Sequence, residues 1–442
     1  MTRYTVLWYT YCVKLWISTK SRNSVHFMFI RRDKYLNRLI FHEKNGLIKI
    51  VSGIRRCGKS YLLCNIFRDW LLENRTDASH IIEVALDDIA NYHLRNPHTM
   101  YAYLKSLIKD DKTYYIIIDE VQYLDEFVDV LNGLLHIPNA DVYVTGSNSR
   151  FLVTDIVTEF RGRGDVIRIY PLVFSEFATQ YEDINSAWKN YFTFGGLPFV
   201  LTFNSPEEKG EYLASLFQEV YITDIIERHD IRNKEELDEL INILASSIGS
   251  LTNPPKLERA YKSIKNKSFS ANTIRTYIDY LTDSFLISEA KRYNIKGKRY
   301  IGSPSKFYFE DVGLRNARLN FRQTEENHIT ENIIYNELRY RGFNVDVGNV
   351  EIYEKSPEGK TLRNSAEVDF VASKGNKKYY VQSTFSMWDR ETSEREKKSL
   401  KNIDDSFGKA IIVNDDRIPL LDENGFLILG IKQFLTDYSV IN

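Results

Sequence analysis

The stretch Gly53-Ile54-Arg55-Arg56-Cys57-Gly58-Lys59-Ser60, GIRRCGKS, decides the fold. It fits the spacing G-x-x-x-x-G-K-[ST]. The apolar run LIKIVS precedes it and predicts a strand; SYLLCNIFRDWLL follows and predicts a helix. A glycine-bearing loop between strand and helix lets backbone N–H groups close on phosphate, and the helix N-terminus adds a favourable dipole. Gly53, Ile54, Arg55, Arg56, Cys57, Gly58, Lys59, Ser60 and Tyr61 are therefore the expected nucleotide-binding residues. Lys59 is expected to reach the β- and γ-phosphates, and Ser60 to offer its hydroxyl to Mg2+. Cys57 is taken as a passive small residue.

A second stretch completes the chemistry. YYIIIDEVQYL places Asp119 and Glu120 at the end of an apolar strand, about 60 residues past the loop, as nucleotide hydrolysis requires. Asp119 is expected to hold Mg2+ through water, and Glu120 to orient and deprotonate the attacking water. In VYVTGSNSR, Ser147 or Asn148 is placed to bond the γ-phosphate or that water, with Asn148 assigned the catalytic role. FRGRGDVIRIYPL holds Arg161 and Arg163. Either suits an arginine finger acting on its own chain's nucleotide or a neighbour's.

The chain has 442 residues, 43% hydrophobic and 27% charged, a globular composition with length for roughly three domains. A net charge of −1 excludes a global field toward nucleic acid or membrane, so such binding needs a local patch. Cys12, Cys57 and Cys64 form a sparse, odd set without metal-type spacing, which points to a reducing cytosol. Near the N-terminus, YTVLWYTYCVKLWI is 14 residues long and interrupted by Lys14, short of the ~18 a membrane helix needs. Met28 is expected to be the biological start, with residues 1–27 a non-native or disordered extension; a partly buried strand or helix is the alternative.

LIKIVSG, IIEVAL, YYIIIDE, DVYVTGS and DVIRIYPL predict strands, most of them continuous apolar runs suited to a parallel sheet buried on both faces. Alternation with helices gives an α/β core over residues 28–185. From about 186 the pattern turns helical. Ser205, Pro206 and Glu208 form a capping box, and Asn233 with Glu236 repeats the device. Ser270 is expected to cap SANTIRTYIDYL, whose Ile274, Tyr277, Ile278 and Leu281 make one apolar stripe. The strands FLISEAKRY and KFYFE follow around the basic turn NIKGKRY, an order of helix then hairpin as in a winged helix. Residues 321–442 predict a helix, ITENIIYNELRYRG, and then strands.

GIRRCGKSYLL, IIIDEVQYL, YVTGSNSRFL and RGRGDVIRIYPLVFSEF, with YFTFGGLPFVL, YITDIIERHDI and KFYFEDVGLRNA further on, resemble the prokaryotic AAA-type ATPases that carry a C-terminal domain of unknown function. The resemblance runs from about residue 28 to the end. It implies ATP as the nucleotide, an α/β P-loop NTPase core with a parallel sheet (28–185), a helical lid (186–249), a winged helix (250–320) and a C-terminal α/β restriction-endonuclease-like domain (321–442). By position in the family's Gly-Arg pair, it favours Arg163 over Arg161 as the finger.

Two patches bear on partners. KLERAYKSIKNKS carries Lys256, Arg259, Lys262, Lys265 and Lys267 against Glu258 alone, and KRYNIKGKRYIGSPSK carries Lys291, Arg292, Lys296, Lys298, Arg299 and Lys306 with no acid. This suits DNA phosphates, and equally a solvated scaffold. In the last segment, a nuclease of the PD-(D/E)xK type needs a helix glutamate, a strand aspartate and E-x-K on the next strand. Glu331 and Asp369 suit the first two places, but Gln382 and Thr384 stand where carboxylate and lysine should. An amide is a weaker Mg2+ ligand and threonine carries no cation, so a catalytically degenerate fold is expected. The expected function is a cytoplasmic ATPase using ATP and Mg2+, associated with DNA, without a membrane partner. The alternatives are a nucleotide-dependent regulator that binds protein, and an ATP-gated metal nuclease.

Overall fold

Five apolar runs become the strands of one parallel sheet: β1 (Ile48–Ser52), β2 (Ile81–Ala85), β3 (Tyr114–Asp119), β4 (Ala140–Gly146) and β5 (Gly164–Arg168), in the order β2-β3-β4-β1-β5. The computed structural model describes residues 30–146, 163–265, 269–322, 325–355, 361–387 and 390–442. Met28, Cys12, Ser147, Asn148, Arg161 and Lys267 lie outside the described residues, so the expectations placed on them do too.

β1 and β3 are buried along their whole length because helices cover both sheet faces. Ile48, Ile50, Ile116, Ile118, Val142 and Val144 share a core with Leu104, Leu131 and Leu134. Lys49 interrupts the apolar pattern of β1. Fully buried, it is paired with Asp141, whose second oxygen accepts the Tyr143 hydroxyl at 2.8 Å. That pair sits at the N-terminal ends of the strands, opposite the loop that follows β1.

Residues 184–246 are helical. Ser205 caps Pro206–Ser215 and Glu208 closes the capping box as expected; the same helix runs on through Leu216–Ile222 and Thr223–Arg228. Lys234–Ser246 begins where Asn233 predicts, but the Asn233 side chain makes no capping bond. Ser270 caps Ala271–Asp283 and buries the predicted stripe.

The hairpin β6 (Ile287–Asn294) and β7 (Arg299–Phe309) does not stand apart as a wing. β6 pairs in parallel with β8 (Asn344–Lys355), so the hairpin is the edge of a mixed sheet completed by β9 (Thr361–Lys374), β10 (Lys377–Thr384), β11 (Gly408–Val413), β12 (Leu420–Leu421) and β13 (Leu427–Gly430). The order is β12-β13-β11-β10-β9-β8-β6-β7. Helix Glu326–Tyr340 sets Tyr335 on Tyr308, rings stacked at 4.2 Å, with Phe370 alongside. Leu400 and Ile403 bury against Val350, Val368, Tyr380 and Ile411.

Two resembling segments, YFTFGGLPF and FEDVGLRNA, meet. Asp311 caps Val312–Arg318 and accepts the Gly196 N–H at 2.7 Å, and the Asn316 amide donates to the carbonyls of Phe192 and Thr193. No helix among the described residues is long and apolar enough to cross a membrane.

Candidate functional site

The loop after β1 is shaped by its two glycines. A Cβ on Gly53 would lie 2.2 Å from the Ile169 carbonyl oxygen, and Gly58 holds φ +97°, a conformation other residues resist. Lys59 is 4% exposed, and its ammonium donates to the loop carbonyls of Gly53 (3.1 Å) and Ile54 (3.2 Å). The loop thus closes on its own lysine, while Gly53 lies against the chain leaving β5 too closely for a side chain. Ile54 and Cys57 are buried beneath it, while Arg56 and Tyr61 are exposed. Burial pushes the Cys57 thiol upward, away from the reactive thiolate, in keeping with a passive role.

Sheet order brings the second half to the first. β4 lies between β1 and β3, and its fully buried Thr145 meets the Asp119 carboxylate and the Glu120 backbone. The Ser60 hydroxyl donates to Asp119 Oδ1 at 2.9 Å, and Thr145 Oγ1 donates to the same oxygen. Thr145 Oγ1 in turn accepts the Glu120 backbone N–H at 2.8 Å. Burial raises the Asp119 carboxyl to about 6, against the pull of the Thr145 and Ser60 hydrogen bonds. Glu120 holds φ +53°, left-handed for a side-chain-bearing residue, and accepts from the Gln122 amide. Such strain, of order 1–3 kcal/mol, persists where the surroundings over-determine the backbone. Thr145 carries no motif of its own; its signal was only its place at the end of a third apolar strand.

The donor set fits the expected groups. Ser60 and Asp119 offer hard oxygen donors to Mg2+, and the Gly53 cradle with Lys59 suits phosphate. Arg163 is not gathered with them. It is exposed, and its carbonyl accepts the Ile48 N–H at 3.0 Å, at the opposite end of β1. Four residues of strand, about 13 Å, separate that end from Ser52.

Arg55 joins the loop to the helical segment. Its guanidinium bonds Asp224 Oδ1 at 2.6 Å, and its carbonyl accepts the Tyr221 hydroxyl at 2.7 Å.

A second polar cluster lies in the C-terminal sheet. Lys306, which the sequence places in the second basic patch, is 3% exposed. Its ammonium stands 2.7 Å from Glu331, 2.7 Å from Glu367 and 3.6 Å from Asp369, and the Tyr308 hydroxyl also donates to Glu331, at 2.5 Å. Burial works against the Lys306 charge, but Glu331, Asp369 and Glu367 outweigh it and raise its pKa. Burial, then Glu331, pushes the Asp369 carboxyl well above the carboxylate range. The cation beside these carboxylates therefore comes from β7 and not from the Gln382-x-Thr384 strand. Gln382 turns its amide toward Glu396, and Thr384 donates to the Ser386 carbonyl. Among the described residues no group of three or more His, Cys, Asp or Glu side chains is arranged to hold a metal. Of the basic surface, Lys256, Arg259, Lys262, Lys291, Lys296, Lys298 and Arg299 are exposed, whereas Arg292 is half-buried against Asn349.

An AAA domain family model matches residues 45–178, and a model of a domain of unknown function (DUF8612) matches residues 185–325. An uncharacterized protein of Haemophilus influenzae is 30% identical over 390 residues, spanning 87% of this chain and 93% of that protein. An uncharacterized protein of Methanocaldococcus jannaschii is 29% identical over 391 residues, 84% of this chain and 82% of its own. Among solved structures, the Aeropyrum pernix ORC1 protein in complex with DNA aligns at 12% identity over 66% of this chain and 92% of its own, with a TM-score of 0.29.

Proposed function

The chain belongs to the family of its Haemophilus influenzae relative and carries an AAA domain over residues 45–178, and we propose that it binds and hydrolyses ATP and passes its nucleotide state to the segments beyond residue 185. The convergence of Ser60, Asp119, Thr145 and the Glu120 N–H at the mouth of the Lys59 loop carries this reading. Lys59 exchanges the Gly53 and Ile54 carbonyls for phosphate oxygens. Glu120 orients the attacking water and takes its proton. Thr145 fixes the Asp119 carboxylate and the Glu120 backbone relative to each other. Mg2+, held by Ser60 and Asp119, would neutralise charge on the phosphates. Arg163, at the far end of β1, serves as a finger only toward a neighbouring copy's nucleotide. The test is steady-state ATP turnover: Glu120→Gln should retain binding and lose hydrolysis about 100-fold or more, whereas wild-type turnover in that variant would remove Glu120 as the base.

We read helices Pro254–Lys265 and Ala271–Asp283 with the β6–β7 hairpin as a winged helix whose hairpin also forms the edge of the mixed sheet, and the rest of that sheet as a restriction-endonuclease-like domain. DNA is the proposed partner, because exposed Lys296, Lys298 and Arg299 cluster at the hairpin turn with Lys291 nearby, on a chain of net charge −1. A metal nuclease gated by ATP is the second reading, and Lys306 is the observation in its favour. That lysine already neutralises the carboxylates a metal would need, which ranks the reading behind the first. Mg2+-dependent nicking that Asp369→Ala abolishes would reverse the ranking.

A further inference from the structure

The segment YITDIIERHDI has no part in the hydrolytic chemistry above, yet it makes two polar contacts with Arg55 of the phosphate loop. The Asp224 carboxylate is divided between two guanidinium groups: Oδ1 takes Arg55 Nη2 at 2.6 Å, and Oδ2 takes Arg228 Nη2 at 2.6 Å, one turn further along the same helix. Tyr221, one turn earlier and 2% exposed, holds the Arg55 carbonyl. A loop residue is thereby gripped by side chain and by main chain from one helix, Leu216–Arg228. The Arg55 and Asp224 side chains are 29% and 20% exposed, shielded enough for the charge pair to matter.

We infer that Asp224 is a positioning residue that competes with nucleotide phosphate for Arg55, so that phosphate in the loop releases the helix Leu216–Arg228 and an empty loop recaptures it. This rests on the ATPase reading. The sign follows from charge. Arg55 lies between Gly53 and Gly58, within the loop that takes the phosphates. A triphosphate there and the Asp224 carboxylate are both anions beside one guanidinium. Their repulsion weakens the pair when nucleotide binds, and the pair weakens nucleotide when it is formed. Coupling of this kind is reciprocal: whatever the nucleotide does to the helix contact, loss of that contact does in reverse to nucleotide affinity.

The test separates this role from mere support of the loop. A supporting residue, once removed, loosens the loop and weakens ATP binding. A competitor, once neutralised, leaves Arg55 and Arg228 uncompensated and strengthens it. The isosteric Asp224→Asn in the full chain should bind ATP, with Mg2+ present, roughly three- to tenfold more tightly, and Asp224→Glu should restore wild-type affinity. In hydrogen exchange, ATP should speed the amides of 216–228 in wild type. In Asp224→Asn those amides should already be fast and respond little. Unchanged or weaker ATP binding by Asp224→Asn, or ATP-dependent protection of 216–228 in wild type, overturns the inference while leaving the ATPase reading intact. A wild-type chain that binds no ATP overturns both. Arg55→Gln serves as the second variant should Asp224→Asn not fold; its loss of ATP-dependent exchange in 216–228 is expected, and retention overturns the inference.

Discussion

The Ser60 hydroxyl donates to the Asp119 carboxylate across 2.9 Å, joining the start of the helix after β1 to the end of β3, a strand two places away in the sheet. The strand between them supplies the bridge, Thr145. Thr145→Val keeps the volume and removes the hydroxyl. Asp119 then loses a donor and the Glu120 N–H a buried acceptor, at a cost of about 1–3 kcal/mol. Lower melting temperature and slower ATP turnover are expected together, with Thr145→Ser recovering both. Full turnover in the valine variant would show that the bridge has no bearing on the chemistry.

Lys59→Ala addresses binding rather than the water. Lys59 is 4% exposed and its ammonium bonds the Gly53 and Ile54 carbonyls, so its loss frees two acceptors and removes the cation proposed for phosphate. ATP affinity should fall by at least about tenfold, the equivalent of one charge-assisted hydrogen bond. Equilibrium binding of a fluorescent ATP measures it, and unchanged affinity would contradict the assignment.

Asp311 gives a pH dependence. Burial raises its carboxyl from 3.8 to about 6, only partly offset by the backbone bonds from Gly196 and Leu314. A raised acid pKa means the folded chain binds this proton more tightly than the unfolded chain. The ionised form therefore costs stability, fully above pH 6, and the cost fades as pH falls toward 4. Asp311→Asn cannot titrate. Between pH 7.5 and pH 5, wild type should gain on the order of 1–2 kcal/mol relative to that variant. Paired thermal melts at the two pH values check it; a constant difference would mean that Asp311 is not raised.

The core was legible because its signals are local: unbroken apolar strands, a glycine-spaced loop, and carboxylates at a strand end. All five expected strands formed, and Gly53–Ser60, Asp119 and Glu120 converged. Thr145 was not legible because strand order is not written in neighbouring residues; only once β4 lies between β1 and β3 does its position mean anything. Arg163 lies at the end of β5 away from the loop, a placement that also depends on strand order and not on neighbouring residues, which is why the sequence leaves a finger toward its own or a neighbour's nucleotide equally open. Lys306 was misplaced for a different reason. A run of cations suggests a solvated face, but Ser305–Phe309 is buried throughout, in the half of β7 that the helix Glu326–Tyr340 covers.

The exposed cations remain, and they carry the DNA proposal. Lys296→Glu, Lys298→Glu and Arg299→Glu together alter an exposed turn, so folding should be preserved within about 0.5 kcal/mol each. If these side chains meet phosphates, the triple variant should lose DNA affinity at all sequences alike, and the slope of log K against log salt should shrink by roughly one per contact. Equal affinity and slope in wild type and variant would assign the patch to solvent.

Lys306→Met tests the buried cluster in the same sheet. Removing the ammonium leaves Glu331, Glu367 and Asp369 without their cation, and breaking one side of a buried ion group typically costs about 3–5 kcal/mol. Destabilisation of that size is expected in chemical denaturation. Glu331→Gln placed on Lys306→Met should recover part of it, because the glutamine keeps an acceptor for the Tyr308 hydroxyl and brings no charge. If the double variant is as unstable as the sum of the two single changes, Lys306 and Glu331 do not act on each other and their 2.7 Å contact does not hold the sheet.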